Sequence, residues 1–135
     1  MIRSGSIRGT LAHIEGETII GRSPEVVFDF VADERNEPKY NPHMIWAELI
    51  SGGEIGIGSQ LREATQSMGR ALEMTIEWTE YERPSRLGST TRMQSADIHG
   101  ALTFASLAEG TRMHWSWDVE SRCAFKLLTR PHREA

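Results

Sequence analysis

Residues 71–81, ALEMTIEWTEY, alternate without a break: Leu72, Met74, Ile76 and Trp78 on one side, Glu73, Thr75, Glu77 and Thr79 on the other. In an extended chain successive side chains point to opposite faces. The segment is therefore a strand with one apolar face and one wet face, as in an antiparallel sheet covered on one side only. On a helix the same residues would be spread around the whole circumference. The rest of the chain has to extend this sheet and supply something to lie on its apolar face.

Several segments extend it. HIEGETII at 13–20, which alternates with β-branched residues, and MIWAELI at 44–50, SQLREATQ at 59–66, LGSTTRMQ at 87–94 and IHGALTFASL at 98–107 read as strands. They are separated by turn-forming runs: SGGEIGIGS, Ser67 to Arg70, ERPSR, and Ser95 to Asp97. Folding the third and fourth strands about Met68-Gly69 puts Glu63 opposite Met74, on the apolar face with Leu61 and Thr65. Folding the last two about Glu109-Gly110 puts Leu102 opposite Trp117, Phe104 opposite Trp115 and Ser106 opposite Met113. His99, Thr103, His114, Ser116, Asp118 and Glu120 then share the wet face, an agreement that a slip of one residue would destroy.

One helix interrupts the strands. In RSPEVVFDFVADE, Ser23 is an N-cap, Pro24 the first helical residue, and Glu25 an acid placed where the helix dipole favours it. Val27, Phe30 and Val31 form the expected apolar stripe, and Pro38 and Pro42 in NEPKYNP end the helical run. Residues 1–12 read as an N-terminal tail, and FKLLTRPHREA at 125–135 as the start of a terminal helix. The predicted order is strand, helix, six strands and the start of a helix, an α+β fold in one domain over 13–135.

Composition excludes several function classes. The chain has 135 residues, 39% hydrophobic and 25% charged, enough for a core without covalent staples. A net charge of -4 argues against nucleic acid and anionic membrane as partners. The single cysteine, Cys123, allows no internal disulfide and reads as a small buried filler in a reducing compartment. No apolar leader and no long uncharged apolar run occurs, so a cytoplasmic protein without membrane insertion is expected.

The segments ETIIGRSPEVVFDFVADERNEPKYNP (17–42), GIGS (56–59), EYERPSRL (80–87) and EGTRMHWSWDV (109–119) together resemble the START-like, polyketide cyclase-dehydrase (SRPBCC) superfamily. The resemblance runs from His13 to the C-terminus. It implies the helix-grip fold, in which a curved seven-stranded antiparallel sheet wraps a C-terminal helix with a cavity between them. In that family the terminal helix usually continues for several more turns, whereas here four residues follow Pro131. Two expectations follow: a second subunit, as in a homodimer, covers the aromatic sheet face, or the chain is cut short.

The apolar face collects Leu72, Met74, Ile76, Trp78, Met93, Leu102, Phe104, Met113, Trp115 and Trp117. Core packing accounts for most of them. The resemblance implies that some line a ligand cavity, and Met74, Trp78, Met93, Phe104, Trp115 and Trp117 are the candidates. For chemistry the candidates are Glu63, Tyr40 and His43. An inward Glu63 would have a raised pKa and could serve as an acid or base; the alternative is a longer turn, or an open rim where it stays hydrated. His43 falls near the expected cavity entrance, and the family often carries an aromatic residue at the place of Tyr40. His13, Glu15 and Glu17 share a strand face but lack a converging fourth ligand, so no metal site is expected. GEIGIGS lacks the third glycine of a dinucleotide fingerprint, and no cofactor is implied.

The leading expectation is a protein that binds a hydrophobic small molecule as carrier, sensor or store. The alternative is a polyketide cyclase or aromatase, which would hold a folded polyketone and supply one acid or base. A protein-interaction module using the sheet face is a third.

Overall fold

The computed structural model describes residues 11–121, the side chain of Leu11 excepted. The segment expected to begin a terminal helix, Cys123 and most of the expected N-terminal tail lie outside the described residues. Seven strands form one curved antiparallel sheet: β1 (Leu11–Ile20), β2 (Met44–Leu49), β3 (Gln60–Ser67), β4 (Arg70–Glu82), β5 (Arg86–Met93), β6 (Ala96–Leu107) and β7 (Gly110–Ser121). Their spatial order is β1-β7-β6-β5-β4-β3-β2. Strands β1 and β2 are neighbours in sequence but lie at opposite edges of the sheet. The chain between them crosses the apolar face through helix α1 (Pro24–Ala32), a 3-10 turn (Glu34–Asn36) and the short helix α2 (Glu37–Tyr40). Two residues of the expected tail, Leu11 and Ala12, belong to β1.

The β3–β4 turn forms where expected. Met68 and Gly69 both take positive φ, 52° and 78°, the signature of a two-residue hairpin turn that follows the sheet twist. Glu63 consequently stands opposite Met74. The β6–β7 hairpin departs from expectation by two residues: Leu102 faces Trp115, Phe104 faces Met113, and Gly100 faces Trp117. Ala108 and Glu109 make the turn, and Gly110 opens β7. The glycine is needed for packing: a Cβ at Gly110 would run into the Ile20 carbonyl at the end of β1. A shift of two leaves every side chain on its face, because the strand period is two.

Helix α1 is capped by Ser23, whose Oγ accepts from the Val26 amide at 3.3 Å. It buries Val27, Phe28, Val31 and Ala32 against the sheet. Phe30 is not part of that stripe; it is 41% exposed and lies beside Tyr40, ring centroids 5.8 Å apart. At about 100° per residue, positions 27, 28, 31 and 32 cluster, and position 30 falls roughly 130° from their centre. Phe28 packs edge-on against Tyr81 (5.1 Å) and Phe104 (5.4 Å) in a core shared with Leu61, Trp78, Leu87 and Leu102. Each such side chain contributes about 1.5–3 kcal/mol through burial.

Two contacts fix the helix to the sheet. The buried Trp78 indole Nε1 donates to the Ala32 carbonyl at 3.0 Å, satisfying an orphan acceptor at the end of α1. The Arg83 guanidinium clasps Asp29 at 2.7 and 2.8 Å. Among the described residues no helix is long and apolar enough to cross a membrane.

Candidate functional site

Where α1 ends, the chain is turned back under the sheet. Asp33 leaves the helical region and caps the next turn: its carboxylate accepts from the Arg35 amide at 3.1 Å and from the Arg35 guanidinium at 2.8 and 2.7 Å. Asn36 Nδ2 donates to the Phe30 carbonyl at 2.9 Å, and Pro38 sits in the first turn of α2. A spacing of three then aligns Glu34, Glu37 and Tyr40 on one side of this tight path. Glu63 arrives from β3, on the sheet face that this path crosses.

One carboxylate oxygen from each of Glu34, Glu37 and Glu63 lies within 4.8 Å of the others. Glu34 is 8% exposed and Glu63 is 0% exposed. Neither oxygen of Glu63 has a hydrogen-bond partner among the described residues. Asn41 Nδ2 donates to Glu37 Oε2 at 3.0 Å. The neighbouring cations are engaged elsewhere, Arg35 with Asp33 and Lys39 over the Phe30 ring at 5.9 Å.

Buried acids with no counter-ion among the described residues hold on to protons. Burial, and then the charge of Glu37, push Glu63 up to about 8. Burial followed by Glu37 and Glu63 raises Glu34 well above the carboxylate range. The Tyr40 phenol is raised as well, by burial first and then by the three carboxylates, although half of that residue is exposed.

Glu34 and Glu37 open onto a cavity of about 450 Å³ lined also by Val31, Tyr40, Asn41, Pro42, Leu102, Met113, Trp115 and Trp117. No lysine, arginine or histidine is among these lining residues. Two glycines seat the tryptophans. A Cβ at Gly16 would stand 2.6 Å from the Trp115 ring, and one at Gly100 would stand 2.8 Å from the Trp117 ring. An adjoining apolar groove of about 480 Å³, between β1 and α1, shares Val31, Tyr40 and Met113 with the cavity.

The candidates named from sequence separate into groups. Trp115 and Trp117 line the cavity with Tyr40. Trp78 and Phe104 belong to the core, at 1% and 6% exposure. Met74 and Met93 pair across β4 and β5, half-buried, beside Arg62, Glu73 and Arg92 in a depression of about 200 Å³. Glu63 does not stay hydrated at an open rim: β3 carries it under α2, where it is sealed. His43 is exposed and outside this cavity; its carbonyl accepts from the Gln66 amide (2.7 Å) and Thr65 Oγ1 (3.1 Å), tying the start of β2 to β3. His13, Glu15 and Glu17 face outward in a charge ladder with Asp118 (2.8 Å), His114 (3.0 Å) and Arg112 (3.7 Å). Glu34 and Glu37 were not among the candidates. The signal that would have found them is a pair of acids three apart at the end of an amphipathic helix, beside an inward-facing glutamate on a strand.

Residues 12–134 match the family model described as polyketide cyclase / dehydrase and lipid transport. No curated protein matches the chain in sequence. Among solved structures it is similar to the Zhui aromatase/cyclase of a Streptomyces species, at TM-score 0.71 and 15% identity over 84% of this chain and 70% of that one. A START superfamily protein from Mycobacterium smegmatis gives TM-score 0.70 and 16% identity over 81% of this chain and 77% of that one. The major latex-like protein 151 of Panax ginseng gives 0.69 and 16% over 84% and 81%. These likenesses establish the fold as helix-grip, its described part being the seven-stranded sheet and the two short helices.

Proposed function

Since this chain belongs to the polyketide cyclase / dehydrase and lipid transport family, we propose that it binds a hydrophobic small molecule in the cavity between α2 and the inner sheet face. The observation that carries this reading is the cavity wall: Trp115, Trp117, Leu102, Met113 and Val31 line about 450 Å³, with polar groups confined to the α2 side. Such walls with a few convergent polar groups suit an apolar body with one polar end. Titration with the neutral dye Nile red, alongside native mass spectrometry of the purified chain, tests it. Saturable dye binding that weakens about tenfold in Trp115→Ala is expected, a loss of about 1.4 kcal/mol. Absence of saturable binding, or binding indifferent to that substitution, sinks the reading. The same spectra report whether the chain pairs with a second copy.

The second reading, a cyclase or aromatase, is favoured by one specific observation: Glu34 borders the cavity and its carboxyl is held protonated by burial. A protonated acid beside an apolar chamber can donate to a departing hydroxyl or to an enolate. That reading requires Glu34→Gln to abolish turnover of a poly-β-ketone while Nile red affinity is kept. Turnover unaffected by the change would exclude Glu34 as the acid.

A further inference from the structure

We propose that Glu34, Glu37 and Glu63 form a binding site for one hard divalent cation of the magnesium, manganese or calcium type. The sequence alone pointed to no metal site, because the three residues come together only when β3 passes beneath the turn after α1. The spacing fits an ion. With metal–oxygen distances of about 2.0–2.6 Å, two oxygens of one coordination sphere are at most about 5 Å apart. The three carboxylates offer oxygens within 4.8 Å of one another.

Glu63 is the independent sign of an occupant. Fully covered, and with both oxygens lacking a hydrogen-bond partner among the described residues, it has the geometry of a ligand and not of a structural carboxylate. A buried carboxylate is normally matched by a donor or a cation. None of the ion pairs among the described residues involves Glu34, Glu37 or Glu63.

The donor set selects the ion. Three carboxylates with no imidazole or thiolate favour a hard cation over zinc or copper. Because Glu63 has no accessible surface, an occupant in contact with it is atom-sized; an organic ammonium group would need an open approach. The Asn41 amide on Glu37 Oε2 orients that carboxylate as an outer partner of a ligand does. Glu34 and Glu37 open onto the cavity, so coordination positions left by the protein face that space, where water can fill them.

The test uses the full chain after chelator treatment, titrated separately with magnesium, manganese and calcium chloride by calorimetry and by thermal melting. One ion per chain, with a melting temperature that climbs with ion concentration, is expected for at least one of the three. Glu63→Gln and Glu34→Gln should each weaken binding at least tenfold, while Glu73→Gln on the outer face leaves it unchanged. Circular dichroism confirms that each variant folds, and the second glutamine variant decides the matter if the first does not. No saturable binding of any of the three ions overturns the proposal. So does binding that survives both inner substitutions, which marks an adventitious surface ion. Stabilisation by hexylammonium and by none of the metal ions also overturns it, in favour of an organic cation. Nile red binding is read in the same samples, so failure of the metal site and failure of the apolar cavity are separate results.

Discussion

On the outer face of β1 and β7, Glu15, Glu17 and Asp118 stand 3.0, 3.7 and 2.8 Å from His114, Arg112 and His13, with side chains 54%, 55% and 61% exposed. On the inner face, Glu34 and Glu63 are buried with Glu37 beside them, and no cation among the described residues answers them. The first set costs nothing to keep, since water solvates every member, and contributes little, since exposed pairs are screened. The second set opposes folding whenever it is ionised. Carboxylates placed where they lower stability are the ones whose presence calls for a function, and here they adjoin the cavity proposed to hold the ligand.

The largest expected effect comes from neutralising the inner set. In metal-free protein the Glu63 carboxyl titrates near 8, against 4.5 in an unfolded chain. Its contribution to stability is therefore fully present below about 4.5 and is lost as pH rises through about 8, because the folded form binds the proton more tightly. That gap bounds the effect at roughly 5 kcal/mol, and coupling of Glu63 to its buried neighbours keeps it below that bound. Glu63→Gln should leave urea midpoints nearly unchanged at pH 5 and raise them strongly at pH 9. A wild-type midpoint that is flat between those values would mean that the inner acids are hydrated like the outer ones, and the contrast would be gone.

Next come the supports of the inner set. Trp78→Phe removes the indole bond to the Ala32 carbonyl and leaves a small void, costing about 2–3 kcal/mol. Because that bond anchors the end of α1 just before Glu34, the substitution should also bring the Glu63 titration back toward 4.5, read from the pH dependence of the midpoint. Stability lost with the titration unmoved would show that α2 is held by other contacts. Gly16→Ala has a smaller effect, about 1–2 kcal/mol, by forcing its new methyl into the Trp115 ring. It should shift tryptophan emission and weaken Nile red binding; unchanged emission would mean that Trp115 does not rest on Gly16.

The faces of the sheet were legible in the sequence because parity alone decides them. Leu72 to Trp78 and Leu102 to Trp117 keep their side even where the β6–β7 register moves by two. The register itself was not legible, since Gly110 answers to the Ile20 backbone, ninety residues earlier in the chain. Helix α1 announced its cap and its first proline, but Phe28 and Phe30 were exchanged between core and surface. Two phenylalanines two apart leave the choice of buried flank to the surface they meet. Glu63 could be placed inward from the Met68-Gly69 turn. Its partners could not: Glu34 and Glu37 come to it through the Asp33-capped turn and a sheet crossing, contacts that no local pattern in DERNEP encodes.

The smallest effect sharpens the comparison from the outer side. His13 is exposed, and its pKa is raised chiefly by the hydrogen bond it donates to Asp118, with a lesser contribution from Glu15. A raised folded value makes its stabilisation complete below 6.5 and lets it fade as pH climbs through the shifted value. This direction matches that of Glu63, but the causes are opposite: attraction to neighbouring acids at His13, and burial among like charges at Glu63. Asp118→Asn should therefore return the His13 ring resonances, followed by NMR, toward a midpoint of 6.5, with a melting temperature that barely moves. Added salt should shrink the wild-type shift in the same way, because exposed pairs are screened, while leaving the Glu63 titration largely in place. If salt collapses both, the inner carboxylates are open to water and the two faces differ only in composition.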